Sequence, residues 1–280
     1  MPPMPAKDAS RTALGTAGLR AAHRLLDAPP WILDDFVAER LLGPAGMARL
    51  QAGRSHLQSP LGQALRAHVL LRSRVCEDRL RAATERGLRR LVILGAGFDT
   101  FAFRQPDWAR GLSIVEVDHP QSQAQKREHL EWAGLAPPEN LAFLALDLER
   151  EPLPAALARL GFTRDEPVFF SWLGVSMYLP EAAVVATLRV LASFASGSET
   201  VLTFLPPEDT GSGLLDLLVG AAGEPFRSRF APEAMARILG EAGFSQVHLP
   251  TREEVAERYF RDRPRDLPVP RRVGIAWAVV

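Results

Sequence analysis

Five short apolar segments, separated by stretches with helical spacing, are the feature of this sequence that most restricts its fold. The segments cover residues 90–94, 112–117, 141–146, 167–172 and 199–205. Their apolar character is continuous, which is typical of strands buried on both faces of a sheet. Because strands that alternate with helices form βαβ units, the pattern predicts a parallel sheet in an α/β fold. Two further strands are predicted over 244–249 and 273–279, after a helix over 232–242.

The first 90 residues show no strand pattern, and their apolar spacing predicts helices. A helix from about residue 12 ends before Asp27-Ala28-Pro29-Pro30, and a second over 32–42 closes at Gly43-Pro44. The longest helix begins near Pro60. Proline and glycine at these places are ordinary signals for helix ends.

These patterns divide the chain near residue 90. We predict a helical N-terminal cap over residues 1–90, which forms one unit with an α/β domain over residues 91–280. Residues 206–230 are rich in Pro, Gly and Ser and interrupt the alternation of strands and helices, so we predict an insertion there.

Composition and charge exclude several classes of protein. The 280 residues are 47% hydrophobic and 24% charged, as in globular chains, and 33 basic residues balance 33 acidic ones, so we expect no nucleic-acid partner. Cys76 is the single cysteine, which excludes an intramolecular disulfide. Histidine, cysteine and carboxylate residues do not cluster at the spacing of metal ligands, so we predict no metal site. The longest uncharged apolar run, 168–180, is too short for a membrane span, and no secretory signal precedes it. We therefore expect a cytoplasmic protein without a membrane partner.

A glycine turn follows the first strand and predicts a ligand site. Gly95 and Gly97 allow the backbone to approach a ligand closely, and the next helical residues offer free N–H groups. Thr100 occupies the place of the third glycine of the dinucleotide-binding fingerprint. Asp118 ends the second strand, 23 residues after Gly95, where an acid can accept both hydroxyls of a ribose.

Asp147 ends the third strand and is followed by Leu148. The acid can accept from an exocyclic amine, and the leucine can lie against a flat base. Although a single acid at a strand end is commonly a helix cap, two acids on successive strands together with a glycine turn favour a nucleoside pocket.

Arg72 interrupts the apolar stripe of the longest helix, between Val69 and Cys76. A charge on that side must reach solvent or find an anionic partner. Glu77 and Asp78 are candidate partners within the helix, and the carboxylate of a ligand is the alternative.

Several motifs together resemble the class I S-adenosylmethionine-dependent methyltransferases of the leucine carboxyl methyltransferase type, including their bacterial small-molecule branch. The resemblance covers nearly the whole chain, from Arg11-Thr12-Ala13 onward. The motifs that carry it are Arg72-Ser73-Arg74…Asp78, LGAGFDTFAFR from Leu94, VEVDHP from Val115 with Lys126, LALDLE from Leu144, and LGVSMYLP from Leu173.

The resemblance implies a helical cap over a Rossmann-like sheet of seven strands, the last antiparallel, with S-adenosyl-L-methionine as cofactor. It implies cofactor-binding roles for Arg72 or Arg74 (methionine carboxylate), Gly95 and Gly97 (methionine portion), Asp118 (ribose), and Asp147 with Leu148 (adenine). Arg72 and Arg74 lie about 200° apart around a helix, so they cannot both meet the carboxylate. We expect that Arg72, on the apolar stripe, does so.

Leu173 is a departure from the family pattern, because many members carry a glutamate at this position. The group that this glutamate binds in those members must be bound by another residue in this chain. The departure favours a bacterial small-molecule enzyme over methylation of a protein C-terminus.

The predicted chemistry is O-methylation of a carboxylate or hydroxyl of a small-molecule acceptor, which could be a secondary metabolite. A carboxylate is ionised at neutral pH and needs no base, whereas a hydroxyl needs one, most often histidine. Among six histidines, His23 in the cap is the candidate base, and Tyr178 after the fourth strand is the other catalytic candidate. The alternative interpretations are that His23 only packs in the cap and that Tyr178 is a core residue with a hydrogen-bonded hydroxyl.

Two other functions remain open from sequence alone. The same sheet could bind NAD(P) in an oxidoreductase, although the missing third glycine and the helices ahead of the first strand argue against it. A non-catalytic nucleoside-binding module is the other alternative, which the absent glutamate leaves open.

Overall fold

The computed structural model describes residues 11–147, 151–207 and 225–280, and shows a seven-stranded sheet in the order β3-β2-β1-β4-β5-β7-β6. The strands are β1 (Arg90–Leu94), β2 (Ser113–Asp118), β3 (Leu141–Ala145), β4 (Phe169–Trp172), β5 (Glu199–Thr203), β6 (Gln246–His248) and β7 (Ile275–Val279). Each predicted strand is present. Several are shorter than predicted by one or two residues at an end.

Strands β1 to β5 run parallel, and β7 pairs antiparallel with both β5 and β6. The predicted parallel sheet with an antiparallel last strand is therefore confirmed. The chain passes from β1 outward to β2 and β3, then returns to place β4 on the other side of β1. The order thus reverses between β1 and β4, and in open α/β sheets the carboxyl ends of strands at such a point form the ligand crevice.

The helices of the described ranges are α1 (Arg11–Leu26), α2 (Phe36–Ala52), α3 (Arg54–Leu57), α4 (Pro60–Glu85), α5 (Pro120–Trp132), α6 (Leu153–Ala158), α7 (Glu181–Ala192), α8 (Pro232–Ala242) and α9 (Arg252–Val255). The helix predicted over 232–242 is confirmed at both ends. No helix in these ranges is both long and apolar enough to cross a bilayer.

The second helix differs from the prediction at both ends. It begins at Phe36 because the Asp35 carboxylate caps it, accepting from the backbone N–H of Ala38 at 3.0 Å. It also continues after Gly43-Pro44, with a kink at Gly43 (φ 62°) where the backbone passes against the indole ring of Trp132. A proline in the first turn of a new helical segment is tolerated, so the predicted stop is a kink.

The sheet is buried on both faces, as the continuous apolar runs predict. Helix α4, although it falls inside the predicted cap, packs Leu71, Val75 and Leu80 against one face of the sheet. Helices α7 and α8 cover the opposite face in a second core with Leu188 and Leu239 at its centre. This three-layer packing holds the strands rigid and leaves their carboxyl ends to be covered from above.

Helices α1 and α2 lie over that edge and join it through a buried ionic network. Arg20 of α1 donates from Nη2 to the carbonyl of Phe98 and from Nε to Asp35 at 2.7 Å. Asp35 also accepts from the Thr100 hydroxyl at 2.7 Å and lies within 3.5 Å of Arg104. Although burial opposes it, the cations Arg20 and Arg104 lower the pKa of Asp35, so the network is ionised and fixes the cap helices on the turn after β1.

Candidate functional site

The turn after β1 requires glycine at Gly95. Its φ is +62°, and a Cβ there would overlap the side chain of Val175, which follows β4. Gly97 follows with φ +47° and faces Ala13 of α1, where a Cβ would lie 3.1 Å from Cβ of Ala13. The turn is therefore enclosed by the exit of β4 on one side and by the cap helix on the other.

The Asp118 carboxylate lies beside this turn, at the end of β2. Its Oδ2 accepts from the backbone N–H of Gly97, and its Oδ1 accepts from the N–H of His119 at 2.7 Å. Burial raises the pKa of Asp118, and the two backbone hydrogen bonds act in the opposite direction. Because a carboxylate has about four acceptor positions, each oxygen retains one for a ligand hydroxyl.

Asp147 lies close to Asp118 because β2 and β3 pair in register, with Asp118 opposite Ala145. Asp147 follows two residues later, is half-buried, and its carbonyl accepts from Glu151 N–H at 3.0 Å. The structure thus brings the two predicted acids to one edge of the sheet. Leu148, the predicted adenine contact, lies outside the described residues.

Arg72 lies at the exit of β4, where its guanidinium packs against the backbone of Gly174. It is half-buried, and no described residue forms a hydrogen bond or ion pair with it. Burial and the nearby Arg20 cation lower the pKa of Arg72 to about 10, whereas Tyr178 and Asp99 act to raise it. At neutral pH the group is therefore a cation without a fixed counter-ion.

The intrahelical partners considered for Arg72 are both engaged elsewhere. Glu77 pairs with Arg104, which donates from Nη1 at 3.1 Å and also from Nη2. Asp78 accepts from Arg74 at 2.9 Å and from the Tyr259 hydroxyl at 3.1 Å. Arg72 therefore does not form the ion pairs considered within the helix, and a ligand carboxylate remains its predicted partner.

Arg74 does not reach the strand ends, which corrects its inclusion among the candidate cofactor residues. Its side chain is 45% exposed and pairs with Asp78 one turn later. It lines a separate cleft of about 490 Å³ on the outer side of α4, together with Trp31 and Arg258. None of the strand-end residues lines that cleft, so we do not assign the cofactor to it.

His23 has a structural position, which argues against its predicted role as a base. The side chain is fully buried, and its Nδ1 lies 2.8 Å from Asp27, while Nε2 accepts from the N–H of Ile32 at 3.1 Å. With both nitrogens engaged, no lone pair faces a reacting group. Arg66 completes this arrangement with two hydrogen bonds to Asp27, at 2.6 and 2.7 Å.

Tyr178 closes a short 3-10 turn, Ser176–Tyr178, directly after β4. The turn is tied to β5, since Ser176 Oγ donates to the carbonyl of Thr203 at 2.6 Å. The Tyr178 ring is half-buried and packs on Phe226 with centroids 5.5 Å apart. Its hydroxyl and Arg72 interact electrostatically, and the catalytic role of Tyr178 stays a prediction.

His68 is a further candidate for the site that was not predicted from the sequence. It precedes Arg72 by four residues on α4, so the two side chains lie on one face of the helix. Burial and the Arg72 charge lower the pKa of His68 to about 4, which keeps the imidazole neutral near pH 7. No described residue hydrogen-bonds to its ring. The four-residue spacing from Arg72 was the signal in the sequence that could have identified it.

Known structures and sequences agree with this architecture. The fold is similar to a Thermobifida fusca protein assigned as a methyltransferase (TM-score 0.54, 20% identity, 86% of this chain and 91% of that one). It is also similar to a DUF574 family protein from Streptomyces avermitilis (TM-score 0.53, 19% identity, 93% and 95%). The sheet and cap thus define a Rossmann-like methyltransferase fold.

The family model for leucine carboxyl methyltransferase matches residues 13–192, and the chain belongs to this family. YktD of Bacillus subtilis, assigned as an S-adenosyl-L-methionine-dependent methyltransferase, is 27% identical over 93% of this chain and 94% of its own length. A Mycolicibacterium paratuberculosis protein with the same assignment is 35% identical, over 72% of this chain and 67% of its own. The chain is therefore an S-adenosyl-L-methionine-dependent methyltransferase, and the oxidoreductase and non-catalytic alternatives are not retained.

The residues at the strand ends fit this cofactor. Arg72 is a half-buried cation without a counter-ion, as a bound carboxylate requires, and Asp118 has acceptor positions for two hydroxyls. Thr100, which stands in place of the third dinucleotide glycine, is 1% exposed and binds Asp35, so that position serves the cap instead of a pyrophosphate.

Proposed function

We propose that this protein transfers the methyl group of S-adenosyl-L-methionine to a carboxylate or hydroxyl oxygen of a small molecule. The observation that carries the proposal is the unpaired Arg72 at the exit of β4, beside Gly174 and in electrostatic reach of Tyr178. A cofactor carboxylate bound to Arg72 brings the methionine portion close to Tyr178 and His68, which both interact electrostatically with Arg72.

Each cofactor contact has one matching residue. Arg72 holds the methionine carboxylate, the turn from Gly95 to Gly97 borders the methionine portion, and Asp118 accepts from the ribose hydroxyls. Asp147, with Leu148, receives the adenine. The roles of Arg72 and Asp118 rest on the acceptor and donor positions that these side chains retain, and the role of Asp147 rests on its place at the same edge of the sheet.

When bound, the cofactor would supply a methyl group on a positively charged sulfur; an aligned nucleophilic oxygen would take that methyl group while S-adenosylhomocysteine leaves. The protein therefore has to bind and orient the cofactor and the acceptor and to exclude water, since alignment supplies much of the rate acceleration in such a transfer. The cap helices cover the cleft and exclude water through the Arg20–Asp35 network. Tyr178 positions the acceptor oxygen by a hydrogen bond from its hydroxyl.

The choice between carboxylate and hydroxyl depends on a base. With His23 locked by Asp27 and Ile32, His68 is the histidine on the site face of α4 whose ring is not hydrogen-bonded by a described residue. A carboxylate acceptor does not need it, because that oxygen is already ionised at neutral pH. A hydroxyl acceptor does need this base. For either acceptor, the presence of Leu173 in place of the family glutamate supports a small molecule.

The test is an acceptor screen with methyl-labelled S-adenosyl-L-methionine against small carboxylic acids and phenols. The label should appear in an ester, which alkali hydrolyses to methanol, or in an ether, which alkali leaves intact. Label bound to nitrogen, carbon or sulfur in the product would contradict the proposal.

The same screen assigns the base. His68→Asn should slow ether formation by about 10-fold, because a ring with a pKa of about 4 is a weak base, and leave ester formation within about twofold. His56→Asn, on the exposed surface of α3, is the matched control and should change neither rate.

A further inference from the structure

The cleft of about 490 Å³ on the outer side of α4 is not used by the proposed reaction. Its volume lies in the range of small-molecule sites. Three parts of the chain form its walls: the outer face of α4, the connection between α1 and α2, and the segment that follows α9. None of the residues assigned to the cofactor lines it, so a ligand in this cleft would be a second ligand.

Two arginines of this cleft share one carboxylate. Asp78 accepts from Arg74 Nε at 2.9 Å and from Arg258 Nη2 at 3.1 Å. The hydroxyl of Tyr259 is a third donor to Asp78, at 3.1 Å. The two guanidinium groups carry two positive charges and the carboxylate carries one negative charge. This cluster therefore has one positive charge that it does not compensate itself.

The other acids of the cleft do not supply the missing negative charge. Glu85 already pairs with Arg81, at 3.2 Å, and both of these side chains are more than 60% exposed. Asp262 is exposed and lies beyond ion-pair distance of every described cation. Solvent and salt screen a charge in that position, so it does little to neutralise the cluster around Asp78.

Both arginines of the cluster retain donors for a ligand. Among the described residues, Arg74 donates only through Nε and Arg258 only through Nη2. Their side chains are 45% and 65% exposed, and both line the cleft, so a ligand can reach the remaining N–H groups. Two guanidinium groups that share one carboxylate need a second anion to complete two charge-assisted pairs.

The backbone that brings Arg258 and Tyr259 into the cleft is itself unusual. These residues belong to a π-helical turn, Ala256–Phe260, which follows α9 directly. Turns of this kind are rare and are frequently found at functional sites. The hydrogen bond from Tyr259 to Asp78 holds the turn against α4 and so fixes the position of Arg258 opposite Arg74.

The wall that the connection between α1 and α2 provides is apolar. It consists of Pro30, Trp31 and Ile32. The indole of Trp31 is fixed, because its Nε1 donates to the carbonyl of Asp27 at 3.1 Å and the Arg24 guanidinium lies 4.7 Å from the centre of its ring. A ligand that fills the cleft from the arginines to this wall needs an apolar part in addition to its negative charge.

We propose that this cleft is a second ligand site for a small organic anion. The carboxylate or phosphate of the ligand binds Arg74 and Arg258, and its apolar part contacts Trp31. The proposal depends neither on the cofactor site nor on the methyl acceptor. The competing explanation is that the three donors to Asp78 only fasten the π-helical turn to α4.

The indole N–H resonance of Trp31 in a proton–nitrogen NMR spectrum reports on this cleft, and Trp31→Phe assigns it. The titrants are benzoate and phenyl phosphate, with benzyl alcohol as the neutral analogue and benzylamine as the cationic one. One or both anions should shift the resonance saturably, and the tighter anion identifies the charged group that the site prefers. The neutral and cationic analogues should bind at least about fivefold more weakly, because they cannot pair with the arginines.

Variants of the arginines test the contacts. Arg74→Met and Arg258→Met should each weaken binding of the preferred anion by about fivefold or more, since each removes one charge-assisted contact that solvent partly screens. Arg237→Met is the matched control, because Arg237 also pairs with an acid one turn later on an exposed helix surface but does not line the cleft. It should change the affinity by less than about twofold, since exposed charges at a distance are screened.

Arg72→Met separates this cleft from the cofactor site and should also leave the affinity within about twofold, because Arg72 lies on the other side of α4. Thermal unfolding of each variant shows whether it is folded. The proposal would be overturned by the absence of a saturable shift with both anions, or by equal binding of benzylamine. Losses in Arg237→Met or Arg72→Met as large as those in Arg74→Met and Arg258→Met would overturn it as well.

Discussion

Arg72 packs its guanidinium so closely against Gly174 that a Cβ at residue 174 would lie 2.7 Å from Nη1 and 2.8 Å from Nη2. The glycine has φ +75° and is held by its N–H, which donates to Thr203 Oγ1 at 2.6 Å. The absence of a side chain at residue 174 therefore determines where the cation of α4 can reach the end of β4.

Gly174→Ala should displace Arg72 and weaken S-adenosylhomocysteine binding by about 10-fold, the effect of losing one charge-assisted contact. The matched control is Gly161→Ala, because Gly161 has nearly the same φ, +77°, with no atom within 4 Å of an added Cβ. Both variants should lose about 1–2 kcal/mol of stability to backbone strain. Titration calorimetry and thermal unfolding separate the two effects, and equal affinity losses in both variants would contradict the relationship.

Arg72→Met and Arg74→Met compare two arginines two residues apart on one helix. The first should reduce the affinity for S-adenosylhomocysteine by about 1.5–3 kcal/mol, and the second should not change it, because Arg74 pairs with Asp78 outside the cleft. Arg72→Lys should retain only part of the affinity for S-adenosylhomocysteine, since lysine lacks the planar guanidinium that binds a carboxylate through two donors.

Arg72→Met should also raise the melting temperature of the ligand-free protein, because it removes an uncompensated, half-buried charge. A larger affinity loss from Arg74→Met than from Arg72→Met would refute the assignment of the carboxylate to Arg72.

Asp118→Asn should weaken S-adenosylhomocysteine binding by about 1.5–3 kcal/mol, since a charged acceptor becomes a neutral amide. Burial raises the pKa of Asp118, so in the unmodified protein affinity should begin to fall at a higher pH than for an exposed aspartate. Binding measured from pH 7 downward should show this decrease, and the variant should lack it. A decrease of the same size in Asp118→Asn would assign it to another group.

The buried pair of Glu116 and Lys126 should make stability depend on pH. Burial raises the pKa of Glu116 to about 7, against the donated hydrogen bond from Lys126, and Glu116 Oε1 has no partner among the described residues. Between pH 4.5 and 7 the folded protein therefore binds the proton more tightly than the unfolded chain. Stability should fall as pH rises through this window, by about 1.4 kcal/mol for each unit of pKa difference.

Chemical unfolding at pH 5 and pH 7.5 tests this difference. The double variant Glu116→Gln with Lys126→Met removes the titrating group without leaving the cation unpaired, and its stability should change less between the two pH values. An unchanged pH dependence would show that Glu116 remains ionised throughout.

Much of the fold could be predicted because its signals are local. Helix α8 begins at Pro232 and ends before Gly243 because proline suits the first turn and glycine suits the left-handed end, whatever surrounds them. The glycine turn and the acids Asp118 and Asp147 follow apolar runs directly, and parallel pairing brings the ends of neighbouring strands together. The predicted strand-end cleft followed from that rule alone.

The errors arose where distant parts of the chain meet. Trp132 lies against the kink at Gly43, so α2 continues where the local sequence predicted a stop. His23 and His68 both lie on helices and look equivalent in sequence. In the fold, Asp27 and Ile32 engage both ring nitrogens of His23, whereas no described residue hydrogen-bonds to the ring of His68.

By itself, the sequence determined the order of strands and helices, the turn after β1 and the acids at the strand ends, because backbone propensity and apolar periodicity act over a few residues. Only the tertiary structure decided which arginine lacks a partner. Arg72 and Arg74 are separated by one residue, but Asp78 and Tyr259 engage the second on the outer face of α4, while the first meets Gly174, 102 residues later in the chain. Whether a charge is compensated depends on every group that the fold brings near it, and those groups come from parts of the chain that no local pattern connects.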